Sequence, residues 1–276
     1  MCRLFGALSV KASSAGKYLL EDPCSLFVQS NSSPNRLQGD GWGIGYYSKG
    51  ATQIIRSEKP VYDEGETYAS AVRNACSRIV LAHVRRASNP RGLPRERMIG
   101  VENSQPFGYN GYLFAHNGTI TIPDELAETL GDWRKNIKGQ NDSEVYFWYI
   151  VKQTAGGASF SVAIEKLRET LSELWTKSRE KHRDKTRPYI GLNALFTDGE
   201  KLYAYCKYDK EDEAARSLCL ADQPVFQMCY LLSPARLIVS SEKTNREDKW
   251  RPLESGRLLT GWLEGNKVRA RVSEVG

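Results

Sequence analysis

The residue whose position most constrains its chemistry is Cys2, directly after Met1. A small second residue permits methionine aminopeptidase to trim the initiator, and trimming would place a thiol and a free α-amine on one residue. Their unperturbed pKa values are about 8.5 and about 7.7–8.0. Near neutral pH such a residue is a nucleophile carrying its own general base. Three more short pieces carry groups of complementary chemistry: His83-Val84-Arg85-Arg86-Ala87-Ser88, His116-Asn117-Gly118-Thr119-Ile120 and Gln140-Asn141-Asp142-Ser143-Glu144. Each also has a purely structural reading. Arg85 can be a surface ion-pair partner, Asn117-Gly118 a hairpin turn and Asp142 a helix cap.

The elements that must position these pieces can be read from patterning. Residues 3–10 are short and apolar, as in a buried strand, and 79–84 form a fully apolar strand that ends at Arg85. A hairpin is expected at 107–114 around Asn110-Gly111, just before His116. Asp142 stands immediately ahead of a helix expected at 143–152. Asp22-Pro23 reads as a helix start, Asp as cap and Pro in the first turn, with Leu26 and Phe27 on the apolar side. Gly39, Gly41, Gly43 and Gly45 alternate and would share one face of a strand, which lets another backbone or a ligand come close. Their spacing is not G-x-G-x-x-G, which argues against a dinucleotide site. Helices are expected at 66–76 and 123–130, and a long amphipathic one carries Phe160, Ala163, Ile164, Leu167, Leu171, Leu174 and Trp175. Strands follow at 192–196, 202–206, 226–231, 237–239, 258–262 and 267–272, with turns at Asp198-Gly199 and Gly265-Asn266. Strands, then helices, then more strands predict α+β layers rather than βαβ winding.

Composition narrows the function classes. A net charge of +6, from 39 basic and 33 acidic residues, is a mild and dispersed excess. The densest charged run, 177–187, alternates acids with bases and reads as a solvated helix end rather than a nucleic-acid surface. Cys2, Cys24, Cys76, Cys206, Cys219 and Cys229 are scattered without a C-x-x-C, and His83, His116 and His182 lie far apart, so no metal site is expected. No apolar run reaches the ~18 residues of a membrane span and no signal peptide is expected ahead of Cys2. The cytoplasm is the expected location, with no membrane partner.

Taken in order, the four pieces resemble the glutaminase domain of class II glutamine amidotransferases, which belong to the N-terminal nucleophile hydrolases. That family begins M-C-G-I-x-G, and Met1-Cys2-Arg3-Leu4-Phe5-Gly6 is similar, with Arg3 and Leu4 at the central pair. Its H-x-R motif is matched by His83-Val84-Arg85, H-N-G by His116-Asn117-Gly118, and S-D-T/S-E by Asn141-Asp142-Ser143-Glu144. Asp40-Gly41-Trp42-Gly43 and Asn103-Ser104-Gln105-Pro106-Phe107 align with family segments as well. These pieces lie in residues 1–144, and the second half adds a compatible strand and helix pattern.

The resemblance implies a single four-layer αββα domain over residues 1–276 with two stacked, mainly antiparallel sheets, and no cofactor or metal. It implies Cys2 as nucleophile with its α-amine as general base. The Asn117 side-chain amide and Gly118 N–H would hold the oxyanion, each worth about 3 kcal/mol of barrier. Glycine at 118 would also permit a backbone geometry that other residues would strain. Arg85 would grip the substrate's α-carboxylate and Asp142 its α-ammonium, with the Gly118 carbonyl as helper. The sequence departs from the family at Arg86, where many relatives have tryptophan, at Ser88-Asn89-Pro90, and at Gln105, where a histidine is common. The start of the chain and the 40–46 segment look like the small stand-alone members, among which are hydrolases of γ-glutamyl compounds in glutathione breakdown and ergothioneine synthesis. Three readings stay open: a γ-glutamyl amide hydrolase, an ammonia-supplying subunit of a synthase, and a binder of γ-glutamyl metabolites without turnover. Arg91, Arg95 and Arg97 in the 86–102 loop are candidates for reading the leaving group.

Overall fold

Two antiparallel sheets stacked face to face form the centre of the molecule, described for residues 2–275 in a computed structural model. The first sheet runs, edge to edge, β11 (Arg251–Leu253), β9 (Met228–Leu232), β10 (Arg236–Ser240), β1 (Arg3–Ser13), β4 (Ser77–Val84), β2 (Trp42–Ser48) and β3 (Ala51–Ser57). The second runs β13 (Lys267–Glu274), β12 (Arg257–Glu264), β8 (Leu202–Cys206), β7 (Tyr189–Thr197), β6 (Tyr112–Ile120) and β5 (Phe107–Tyr109). The apolar strand expected at the start of the chain is thus β1, central in its sheet between β10 and β4. A strand buried on both faces needs apolar residues at successive positions, which explains its lack of alternation.

Three cores separate four layers. Leu4, Leu8, Ile79 and Leu81 of the first sheet meet Leu113, Ala115, Leu195 and Ala204 of the second. The outer face of the first sheet, with Phe5, Ala7, Ile44 and Val80, is covered by Leu26 of α1 (Leu26–Gln29) and by Tyr68 and Val72 of α2 (Gly65–Asn74). A four-residue helix, α3 (Arg95–Met98), lies in the segment after β4. The outer face of the second sheet is covered by α4 (Pro123–Glu128), α5 (Asp142–Ala155) and α6 (Phe160–Ser178). The αββα expectation therefore holds. Burying each large side chain in these cores contributes roughly 1.5–3 kcal/mol. Among the described residues no helix is long and apolar enough to cross a membrane.

Some elements differ from expectation for identifiable reasons. Asp22 does not cap a helix: Ser25 caps α1, and the Asp22 carboxylate instead accepts from Thr244 Oγ1 (2.5 Å) and Asn245 Nδ2 (2.6 Å). Strand β3 escaped the patterning because it is a half-exposed edge. The Asn110-Gly111 turn is present, both residues at positive φ (47° and 85°), and it sets the register of β5 on β6. The glycine face holds in part: Gly43 and Gly45 lie in β2, whereas Gly39 and Gly41 precede it, Gly41 at φ 120° and Gly39 against Tyr62. A Cβ on Gly41, Gly43 or Gly45 would collide with Ser104, the Gln105 carbonyl or Pro106, because segment 104–106 lies directly across that face.

Candidate active site

Strand register places the candidate nucleophile. Arg3 pairs with Val84 and Leu4 with His83, so continuing the ladder sets Cys2 opposite Arg85, on the face whose Leu4 and Leu81 enter the inter-sheet core. Cys2 is 8% exposed. The Arg86 N–H donates to its Sγ (3.4 Å), and the thiol lies 3.3 Å from the Arg86 carbonyl, which accepts from it. The expected trimming of Met1 concerns a residue outside the described ones.

Arg85 is buried and only half satisfied. Its Nη1 donates to the carbonyls of Asp40 (3.0 Å) and Met98 (2.9 Å), whereas Nη2 has no partner among the described residues. Burial draws its pKa down, and the negative groups of Cys2, Asp40 and Asp142 oppose that shift. A surface ion-pair role is thereby excluded. A buried guanidinium with a free donor edge is suited to bind a carboxylate.

Asn117 and Gly118 come from the second sheet. They are not a turn but the end of β6, paired with Asn193 and Leu192 of β7. Asn117 shares the inner face of Leu113 and Ala115, so it enters the inter-sheet layer from the side opposite Cys2. It is fully buried, and neither Nδ2 nor Oδ1 has a partner among the described residues. Gly118 is required for a different reason from the one expected. Its φ is not positive; a Cβ there would instead run into the Gly191 carbonyl. Gly191 itself sits at φ 73°.

His116 faces the other way, into the helix layer. Its Nδ1 lies 2.9 Å from Ser143 Oγ and its Nε2 3.4 Å from the Gly191 carbonyl. Burial lowers its pKa, so the ring is neutral near pH 7, with Ser143 donating to Nδ1 and Nε2–H donating to Gly191. The same ring thus ties the end of β6 to the start of α5. Gln105 holds the backbone of this residue, Oε1 accepting from His116 N (2.6 Å) and Nε2 donating to His116 O (3.3 Å). That is the work done here at the position where relatives often carry histidine.

Asp142 is not the cap of α5. Asn141 is, accepting from Glu144 N at 2.7 Å. This frees the Asp142 carboxylate to accept from Ser88 Oγ (3.1 Å) and Ile120 N (2.7 Å). Each oxygen keeps a second lone pair for an ammonium. Contacts therefore run without a break from Cys2 through Arg86, Ser88 and Asp142 to Ile120, two residues beyond Gly118. All five residues singled out in the sequence (Cys2, Arg85, Asn117, Gly118 and Asp142) meet at one end of the sandwich.

Two of the loop arginines have other duties. Arg91 pairs with Asp124 (2.8 Å) and donates to the Gln140 carbonyl, and Arg95 pairs with Asp40 (2.5 Å). Arg91 thereby ties the segment to α4 and Gln140, whereas Arg95, largely exposed, is paired only at its tip. On the outer side of β1, Arg3 is fully buried and donates to the Val225 carbonyl (3.1 Å), and burial draws its pKa down to about 10. Cys24 and Cys219, 195 residues apart, form a disulfide beside it. Glu242 lies near both sulfurs, but its carboxylate accepts the N–H groups of Leu218 (2.7 Å), Cys219 (2.8 Å) and Leu220 (2.8 Å).

Burial also lowers the pKa of His83 well below the ordinary 6.5, aided by the Arg85 charge. With both folded-state values depressed, the unfolded chain takes up protons first as pH falls. The stability these histidines contribute is present above pH ~6.5 and is lost on acidification, by at most about 1.4 kcal/mol per pH unit for each ring. Urea midpoints should fall between pH 7 and pH 5.5; a midpoint that rises over this window would contradict the neutral-ring assignment.

The family model described as glutamine amidotransferases class-II matches residues 19–274. The γ-glutamyl-hercynylcysteine sulfoxide hydrolase of Mycolicibacterium smegmatis is 34% identical over 125 residues, 44% of this chain and 52% of that protein. The hydrolase of the same name from Mycobacterium tuberculosis is 32% identical over 126 residues, 44% of this chain and 50% of that one. The chain thus spans about half the length of these curated relatives. Among solved structures, a glutamine aminotransferase class-II domain protein from Silicibacter pomeroyi superposes with a TM-score of 0.63 at 19% identity, covering 100% of both chains. The glutamine phosphoribosylpyrophosphate amidotransferase of B. subtilis gives 0.60 at 16% identity, covering 98% of this chain and 49% of that one. These two likenesses show a shared fold.

Proposed function

Because the chain belongs to the class II glutamine amidotransferases, we propose that it hydrolyses the γ-amide of glutamine or of a larger γ-glutamyl compound through a thioester on Cys2. The Cys2 sulfur attacks the γ-carbonyl carbon while the thiol proton passes to the Cys2 α-amine. The carbonyl oxygen becomes an oxyanion held by the Asn117 amide N–H and the Gly118 backbone N–H. Collapse breaks the C–N bond, and the departing ammonia or amine takes the proton back. Water then attacks the thioester by the same route and releases glutamate and the free thiol. Arg85 and Asp142 hold the α-carboxylate and α-ammonium throughout, which keeps the γ-carbonyl beside the sulfur.

The observation that carries this reading is the Asn117 amide, wholly buried yet unpartnered among the described residues, in the layer that Cys2 enters from the other sheet. A buried unsatisfied amide costs about 1–3 kcal/mol, a cost that a site for a charged reaction intermediate would offset. The similarity to γ-glutamyl-hercynylcysteine sulfoxide hydrolases favours direct hydrolysis over ammonia supply to a synthase.

The test is affinity labelling with a glutamine-mimicking chloroketone, peptide mapping, and assays on glutamine and glutathione-like amides by the isolated protein. A single adduct on Cys2, an intact mass lacking Met1 and turnover without a partner are expected. Labelling elsewhere, or Met1 retained on every molecule, would overturn the mechanism.

A further inference from the structure

Asp40 makes no contact with the Cys2 sulfur, yet it holds the turn on which both the sulfur and Arg85 depend. Its N–H donates to the Arg85 carbonyl (3.0 Å), and its own carbonyl accepts from Arg85 Nη1 (3.0 Å). Its carboxylate Oδ2 accepts the Ala87 N–H (2.8 Å), and Oδ1 pairs with Arg95. Between these two anchored residues lies Arg86, whose backbone N–H and carbonyl are the two groups against the Cys2 sulfur.

We propose that Asp40 is a positioning residue that sets the Arg86 amide against the nucleophile and the Arg85 guanidinium against the substrate through one shared turn. The substrate half of this statement rests on the function proposed above; the thiol half does not. The buried carboxylate suits the task because its bond to the Ala87 N–H is charge-assisted, shorter and stronger than one from a neutral acceptor. Its negative charge also opposes the effect of burial on Arg85. A loosened turn would let the Arg86 N–H and carbonyl drift from the sulfur and so release the nucleophile from the position they fix. It would equally misplace the free edge of Arg85. The Arg95 pair is a lesser support, since the Arg95 side chain is 69% exposed and such pairs contribute little.

The experiment compares Asp40→Ala, Asp40→Asn and Arg95→Ala with wild type by two readouts. The first is the pH profile of Cys2 alkylation by iodoacetamide, followed by peptide mapping. The second is the separate kcat and KM for glutamine or the best γ-glutamyl amide. Asp40→Ala should slow alkylation at pH 7 at least fivefold and raise KM about tenfold. Asp40→Asn, which keeps an acceptor for the Ala87 N–H, should recover most of both, and Arg95→Ala should stay within twofold of wild type. A folded Asp40→Ala with both readouts within twofold of wild type overturns the proposal. If Asp40→Ala does not fold, Asp40→Ser is held to the same criteria, and failure of both to fold makes the role purely structural and also overturns it. If wild type cleaves no γ-glutamyl amide, the proposed function fails separately, and the alkylation profile alone decides the thiol half.

Discussion

Cys2→Ala is expected to reduce glutamate release by roughly 10⁴-fold or more while leaving the protein folded. The loss should be this deep because no other thiol can substitute. Cys206 and Cys229 are buried and their pKa values are pushed up, that of Cys206 to about 12, so neither supplies thiolate near neutral pH. Cys24 and Cys219 are bonded to each other, and Cys76 is exposed at the start of β4, at the other end of that strand from Arg85. Stability should change little, since the sulfur's hydrogen bonds are to the backbone of a single residue, Arg86. Glutamate release and circular dichroism on the same preparation check both halves. Residual activity above a tenth of wild type would remove Cys2 from the reaction.

Asn117→Ala should show the second-largest effect, with an unusual pairing of signs. Removing one oxyanion donor costs about 10²–10³ in kcat, or roughly 3–4 kcal/mol. The same substitution deletes two buried polar atoms that have no partner among the described residues, so the melting temperature should hold steady or rise. Most large-to-small changes at a fully buried position destabilise. A variant that lost stability but kept kcat within tenfold would mark Asn117 as a packing residue. KM should move less than kcat, because the amide acts on charge that develops during the reaction.

Much of this arrangement was legible beforehand, and the pattern of success has a physical cause. Features encoded locally came through: the apolar β1, the β4 strand ending at Arg85, the Asn110-Gly111 turn, and the bare glycine face, later found covered by segment 104–106. What did not come through depends on residues brought together only by the tertiary fold. Asp22 before a proline has the usual signal of a helix cap, yet its carboxylate reaches across to Thr244 and Asn245. Gly118 was read as a conformational need, whereas its neighbour across the ladder imposes a steric one. Ser88, Gln105 and Asp40 carried no signal of their own roles, since each works through another residue's backbone or side chain. The scattered cysteines gave no hint that two of them meet.

That sulfur link has a topological consequence. It closes a covalent ring from residue 24 to residue 219, and Arg85, Asn117, Gly118 and Asp142 all lie on its circumference. Cys2 lies outside, on the short arm that leads into the ring, and is kept in place by the ladder partners of β1. A protease that cuts one loop within the ring opens it without shedding a fragment. A cut between β1 and Cys24 severs the only covalent path between the nucleophile and its pocket.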